Sequence, residues 1–211
     1  CSSDLLNVDP RLTLVWLTSE AERAAFADLT IQATKAINAD EQQSKDSFVW
    51  FRSDWDQLQA SKDGITLDTS GLSPLMRDVA KIIPVSSRST SDKSWLKMTK
   101  HPQLSTAPAF GIIVANQNPT MADFVSAGRL YQRIALHAEV QGLAMQPLNQ
   151  IPERIDRETT LGGASAYPAA LAKLLPASAV ATLMPFRIGY AEDAALKSPR
   201  RPTESVLLDA S

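Results

Sequence analysis

Apolar residues first gather at Leu12–Leu17, LTLVWL, a short run of strand formers. Ser19 and Glu22 follow in S-x-x-E spacing, a capping box, and predict a helix from Glu20 to about Ile37. Ala25, Phe26, Leu29, Ala33 and Ile37 recur at three- and four-residue spacing and form its apolar stripe. Residues 40–63 also read as helical, with Phe48, Trp50, Phe51 and Trp55 bunched inside the run. Asp63-Gly64 is the turn that stops it. GLSPLMRDVAKIIP predicts a further helix from Ser73 or Pro74, ending before Pro84. Residues 85–107 are polar and rich in Ser and Thr, and predict a long connection with one helical turn near Trp95.

The second half carries the stronger periodicities. APAFGIIVAN, residues 107–116, is a compact apolar strand suited to burial on both faces. Thr120 and Asp123 cap a helix over 121 to about 141, the strongest in the chain. Phe124, Ala127, Leu130, Tyr131, Ile134, Ala138 and Gln141 form one stripe on it. Val125, Leu136 and Val140 add apolar surface elsewhere, which predicts burial on more than one side. Gly142 ends it. ATLMPFRIGY, residues 181–190, is the last clear strand. Helices between strands imply an α/β or α+β sheet domain, and no internal repeat is visible.

The length, 211 residues, suits one domain, or one domain with an appended element. Hydrophobic residues at 44% and charged residues at 21% leave enough for an ordinary core. A formal net charge of −2 supplies no field for nucleic acid or an anionic membrane. No apolar run approaches the ~20 residues of a bilayer span, and the N-terminus has no signal-peptide pattern. The single cysteine, Cys1, excludes an internal disulfide and a cysteine metal cluster. It admits two readings: the first residue of a mature bacterial lipoprotein, or the point at which a longer chain was cut. The near absence of a tether before the Leu12 strand favours a fragment.

Motifs of familiar chemistry are missing. There is no G-x-G-x-x-G, no Walker loop and no H-E-x-x-H. GGASA at Gly162–Ala166 lacks the final glycine of a nucleophile elbow, so Ser165 reads as part of a small-residue loop. His137 reads as a hydrogen-bonded helix residue. No catalytic side chain and no metal ligand set is therefore assigned. One basic feature stands out near the C-terminus: Arg200-Arg201-Pro202, with Lys197 just before it.

Three stretches together resemble the C-terminal part of the nitroreductase-like flavoprotein family. ADFVSAGRLYQRIALHAEVQGLAMQPL, residues 122–148, is similar to the family's long central helix, with its A-x-x-x-G-L end and following proline. FRIGYAED resembles its strand ending in R-x-G-Y-A, and KSPRRPTESVL the basic-x-Pro stretch after it. Their order and spacing cover about residues 107–208. The resemblance implies an α+β fold, a mixed or antiparallel central sheet flanked by helices with one long central helix. It implies non-covalent FMN, NAD(P)H as reductant, and a small nitroaromatic, quinone or similar acceptor. It further implies a homodimer, or association with a missing N-terminal half.

Carried across residue by residue, the resemblance points to Pro147, Leu148, Asn149 and Gln150 as facing the flavin ring, with Gly142 and Leu143 positioning that loop. Arg200, Arg201 and Lys197 would face the flavin phosphate. The types suit the task, because guanidinium forks bind a phosphate dianion through paired charge-assisted hydrogen bonds. Hydride chemistry belongs to the cofactor, so no acid or base is demanded. The family's N-terminal R-R-S-x-R-like segment is absent before residue 107. LTLVWLTSEAERAAF, then WFR at Trp50–Arg52 and DGI at Asp63–Ile65, instead resemble a subgroup with two nitroreductase-like halves in one longer chain.

These readings divide the chain into a strand–helix segment with a helical insertion or lid and a polar connection, 1–106, and a nitroreductase-like core, 107–211. The function expected is an FMN-dependent oxidoreductase; the alternative is a binding or storage protein of the same fold that has lost catalysis. The aromatic cluster from Phe48 to Trp55 is either ordinary core packing or part of a lid. Neither nucleic acid nor membrane is expected as a partner. The compartment expected is cytoplasmic, or periplasmic if an export signal has been removed.

Overall fold

A computed structural model describes residues 9–52, 55–69, 75, 77–79, 87–191 and 196–207. The chain divides into two compact units, the first from Cys1–Ala39 with Trp95–Ala191, the second from Asp40–Ser94 with Glu192–Ser211.

The first unit is built on an antiparallel sheet. Its strands are β1 (Leu12–Leu17), β4 (Ala109–Ala115), β5 (Ala144–Pro147) and β6 (Ala181–Gly189), in the order β1-β4-β6-β5. Leu12 opposes Ala115 and Leu17 opposes Phe110. Between β4 and β6 the register slips at Ile113/Val114. Six of the seven residues of β4 are buried, as its unbroken apolar run predicts for a strand covered on both faces.

Helix α1 (Glu20–Ala39) covers one face of the sheet. The capping box forms: Glu22 N–H donates to Ser19 Oγ, and Ser19 N–H to Glu22 Oε2. The buried stripe is Phe26, Thr30, Ala33, Thr34 and Ile37, while Ala25 is exposed. Two threonines enter this core because each hydroxyl donates to the carbonyl four residues back, at 2.9 and 2.8 Å. Phe26 meets Phe110 with ring centroids 5.0 Å apart.

Helix α5 (Met121–Val140) covers the other face with Ala127, Leu130 and Ile134 against Ile113 and Phe186. Asp123 Oδ2 accepts from the Thr120 N–H at 2.7 Å and from its hydroxyl at 2.6 Å. The helix ends in a Schellman turn, with Leu143 N–H donating to Ala138 O and Gly142 N–H to Glu139 O. Gly142 takes φ +69°, the left-handed conformation that turn requires. Burial on more than one side is not observed. Phe124, Val125, Leu136 and Val140 are all at least half exposed, and Gln141 is exposed too, because a single stripe meets the sheet.

Carboxylates hold this unit's ends together. Hydrogen bonds from Thr120 hold the Asp123 carboxyl below its ordinary value of 3.8; burial opposes them and Arg11, with its Nη1 3.0 Å from Oδ1, adds to them. Asp9 is lowered by its hydrogen bonds from Arg11, and Glu22 by those from Ser19. Groups with depressed folded values bind fewer protons than the unfolded chain does. Their stabilisation is complete above the unfolded values and is lost as pH falls through the folded ones. Melting temperature should therefore be level above about pH 5 and fall steeply below about pH 4. Asp123→Asn should flatten that slope; an identical profile would remove Asp123 from the account.

Three expectations are corrected here. Residues 40–63 are not one helix: α2 (Glu41–Phe48) stops, β2 (Phe51–Arg52) follows, and α3 (Trp55–Ser61) resumes. β2 pairs in parallel with β3 (Ile65–Thr66), and Ile65 N–H donates to Trp50 O at 2.8 Å. The Arg52 guanidinium turns onto Asp63 at 2.9 Å. These contacts override helix propensity at Val49–Arg52. The aromatic cluster is not core either, since Trp50 and Trp55 are 53% and 68% exposed. The polar run after residue 85 is helical over α4 (Arg88–Met98), followed by a wide turn over Thr99–Leu104 kinked at His101. α4 buries none of its residues, so it carries no apolar stripe to read. Asp92 accepts from Ser44 Oγ at 2.6 Å, and Arg88 donates to Glu41 O at 3.2 Å. The helix expected from Ser73 or Pro74 to Pro84 falls mostly outside the described residues.

Candidate functional site

In the first unit, the chain leaves the Schellman turn along β5, the sheet's edge strand, where Pro147 needs no ladder donor. Leu148 then buries its side chain and donates its N–H to Pro185 O at 2.9 Å. Asn149 opens helix α6 (Gln150–Thr160). Trp95, Gln103, Gln146, Pro147, Asn149, Gln150 and Glu153 line a hollow of about 220 Å³ at this point. Three expected ring-facing residues therefore come together: Pro147, Asn149 and Gln150. Leu148 contributes core packing and backbone, and Gly142 and Leu143 stand at the turn that starts β5.

Four carboxamides line that hollow. Gln150 is 6% exposed, and its Oε1 is buried with no donor among the described residues. Behind Gln146 stands Arg187, its cross-strand partner on β6. Arg187 Nε donates to Gln146 Oε1 at 2.7 Å, and Nη1 donates to Gln103 O at 3.1 Å. Burial pushes the Arg187 guanidinium below its ordinary pKa, and among the described residues no carboxylate acts against that shift. Arginine nonetheless stays charged at any working pH. Trp95, Gln103, Gln146, Glu153 and Arg187 are not among the site residues expected from the sequence. The one signal available was an arginine inside an apolar strand, MPFRIGY, which suggests a task for that charge.

The basic C-terminal residues belong to the second unit, where they separate. Arg201 is engaged: Nη2 pairs with Asp63 Oδ2, and Nε donates to Ser61 O at 3.1 Å. Burial pushes the Asp63 carboxyl up, but hydrogen bonds from Ser61, Arg52 and Arg201 outweigh it, and its pKa lies below the ordinary value. Lys197 and Arg200 instead line a hollow of about 340 Å³, with Lys62, Trp55 and Asp68 also in its wall. Lys62 takes φ +48° as α3 ends, and no sequence pattern marked it.

Ser165 Oγ accepts from the Tyr167 N–H at 3.3 Å, a local turn at the start of helix α7 (Tyr167–Leu171). Among the described residues no group of three His, Cys, Asp or Glu is placed to hold a metal. Nor is any described helix long and apolar enough to cross a membrane.

No family model matches this chain, and no curated protein does. Among solved structures, the FMN and NADPH-dependent nitroreductase NfnB from Sphigopyxis sp. strain HMH matches 93% of this chain and 78% of its own, with TM-score 0.53 and 14% identity. The fold is nitroreductase-like. The FMN-dependent nitroreductase NfnB from Mycobacterium smegmatis in complex with NADPH covers 95% of this chain and 79% of its own, at TM-score 0.49 and 17% identity. A nitroreductase with bound FMN from Desulfitobacterium hafniense covers 100% and 88%, at 0.46 and 12%. The α+β expectation, a sheet flanked by helices with one long helix, is met.

Proposed function

We propose that this protein is an FMN-dependent oxidoreductase of nitroreductase type, taking hydride from NAD(P)H and passing it to a small acceptor such as a nitroaromatic or a quinone. The carrying observation is the carboxamide-lined hollow at the end of β5, with its orphaned acceptor on Gln150. The pyrimidine edge of a flavin presents one N–H between two carbonyls. Gln150 Oε1 would accept from the N–H, and the amide groups of Gln146 and Asn149 would donate to the carbonyls. The residues present therefore fit the group.

When bound, FMN supplies the hydride chemistry. The protein's residues bind and orient. Pro147 and Leu148 fix the loop by their packing and the Leu148–Pro185 hydrogen bond. Gly142 and Leu143 set the turn that delivers β5 to the sheet edge. Asn149 and Gln150 would offer polar atoms to the ring. In the second unit, Lys197 and Arg200 suit a phosphate dianion, and Arg201 holds its segment in place. A homodimer through α5 goes with this reading, since Met121, Val125, Leu136 and Val140 leave an apolar face on it. A cytoplasmic setting, where reduced nicotinamide is at hand, goes with it too.

The test is a titration of the full-length protein with FMN, followed by absorbance and flavin fluorescence, then addition of NAD(P)H and a nitroaromatic. The expected result is saturable binding and oxidation of the nicotinamide that depends on both FMN and acceptor. A protein that takes up no FMN at excess overturns the reading. Uptake without nicotinamide oxidation would make it a flavin-binding protein that has lost catalysis.

A further inference from the structure

Arg187 is a half-buried cation in the middle of a sheet, and among the described residues no carboxylate lies within ion-pair distance of it. Its partners are neutral, the Gln146 side chain and the Gln103 carbonyl, and both residues line the hollow. Glu153 rims the same hollow. A cation costs several kcal/mol to remove from water unless something compensates for it. Two hydrogen bonds to neutral oxygens leave its charge intact for whatever enters next door.

The contact also decides how Gln146 is turned. A guanidinium only donates, so the carboxamide must present its oxygen to Arg187. Its amide hydrogens are then left for the hollow, and Gln146 Nε2 has no acceptor within the chain among the described residues. The wall accordingly offers a fixed donor backed by an uncompensated positive charge.

We propose that Arg187 is a positioning residue for the flavin, holding Gln146 as a donor toward the ring and biasing the hollow toward the reduced, anionic form. This rests on the FMN reading above. Reduction adds two electrons and one proton to the oxidised ring, which gains one negative charge; dithionite supplies the electrons in the test and solvent the proton. That charge is shared with the ring's carbonyl oxygens, the atoms a carboxamide N–H would meet. Binding the reduced form more tightly raises the bound flavin's potential by the same free energy, by linkage.

The experiment measures FMN affinity in the oxidised state and the midpoint potential of bound FMN, for the full-length protein and for Arg187→Met, Arg187→Lys and Gln146→Met. Arg187→Met should lower the preference for reduced over oxidised FMN about tenfold, or about 30 mV for a two-electron couple. Gln146→Met, on a half-exposed edge strand, should lower it about threefold. Arg187→Lys keeps the charge without the fork and should fall between the parent and Arg187→Met. A merely structural role would weaken binding of both redox forms together and leave their ratio unchanged. Ratios within twofold of the parent in Gln146→Met and in whichever Arg187 variant folds would overturn the proposal while leaving the FMN reading intact. A parent protein that takes up no FMN overturns both.

Discussion

Gly111→Ala should destabilise the first unit by about 3 kcal/mol, the upper end of what overpacking a core costs. A Cβ at that position would lie 2.2 Å from Phe186 Cζ and within 2.8 Å of two more ring atoms. Gly111 and Phe186 are direct partners across β4 and β6, and the ring lies over the glycine. The ring has nowhere to retreat. Trp16 meets it edge-on at 5.6 Å and Tyr131 at 5.5 Å, and Phe186 itself is fully buried. Urea unfolding measures the cost, and a second background identifies its source. With Phe186→Leu already in place, the cost of adding Gly111→Ala should drop below about 1 kcal/mol, because the offended atoms are gone. An equal cost in both backgrounds would place the damage in the backbone.

The second large effect divides two adjacent residues. In the FMN reading proposed above, Arg200→Ala should weaken FMN binding about 10- to 100-fold, the equivalent of losing one charge-assisted hydrogen bond of about 1.5–3 kcal/mol. Arg201→Ala should weaken it only a few-fold, since Arg201 is spent on Asp63 and Ser61. Its loss should show first as faster proteolysis of the C-terminal segment. The fluorescence titration at low and moderate salt reads both, and the loss in Arg200→Ala should shrink as salt rises. If Arg201→Ala weakens FMN as much as Arg200→Ala with no change in proteolysis, the assignment of the two arginines is reversed.

Much of the first unit was legible because its elements are long and one-sided. β1, α1, β4, α5 and β6 each show an apolar run or stripe, and each falls within two residues of its expected bounds. The failures share a cause as well. α4 is polar over its first seven residues and buries none of its eleven, so nothing in its pattern separates it from a loop. The break at Val49–Arg52 depends on Asp63 and Ile65, partners that local propensity cannot see. β5 is four residues long and follows its helix so closely that no alternation develops.

The hollow was half legible. Its 146–150 wall follows a helix end and a proline that are visible in the sequence. Gln103 joins it only through a kinked turn, and Arg187 comes to stand behind Gln146 only through strand register. The pairing of Gln146 with Arg187 crosses 41 positions, and neither residue type advertises the other.

The strand order also sets a schedule for synthesis. β6 sits between β4 and β5, yet it is the last of the four to be made. Until residue 189 has left the ribosome, β4 carries an open edge of buried-type residues, Phe110 to Ala115, and β5 has no neighbour at all. Such edges are templates for pairing with other chains. The nascent sheet is therefore at its most adhesive just before β6 is made, and the strand that carries Arg187 is also the one that closes it.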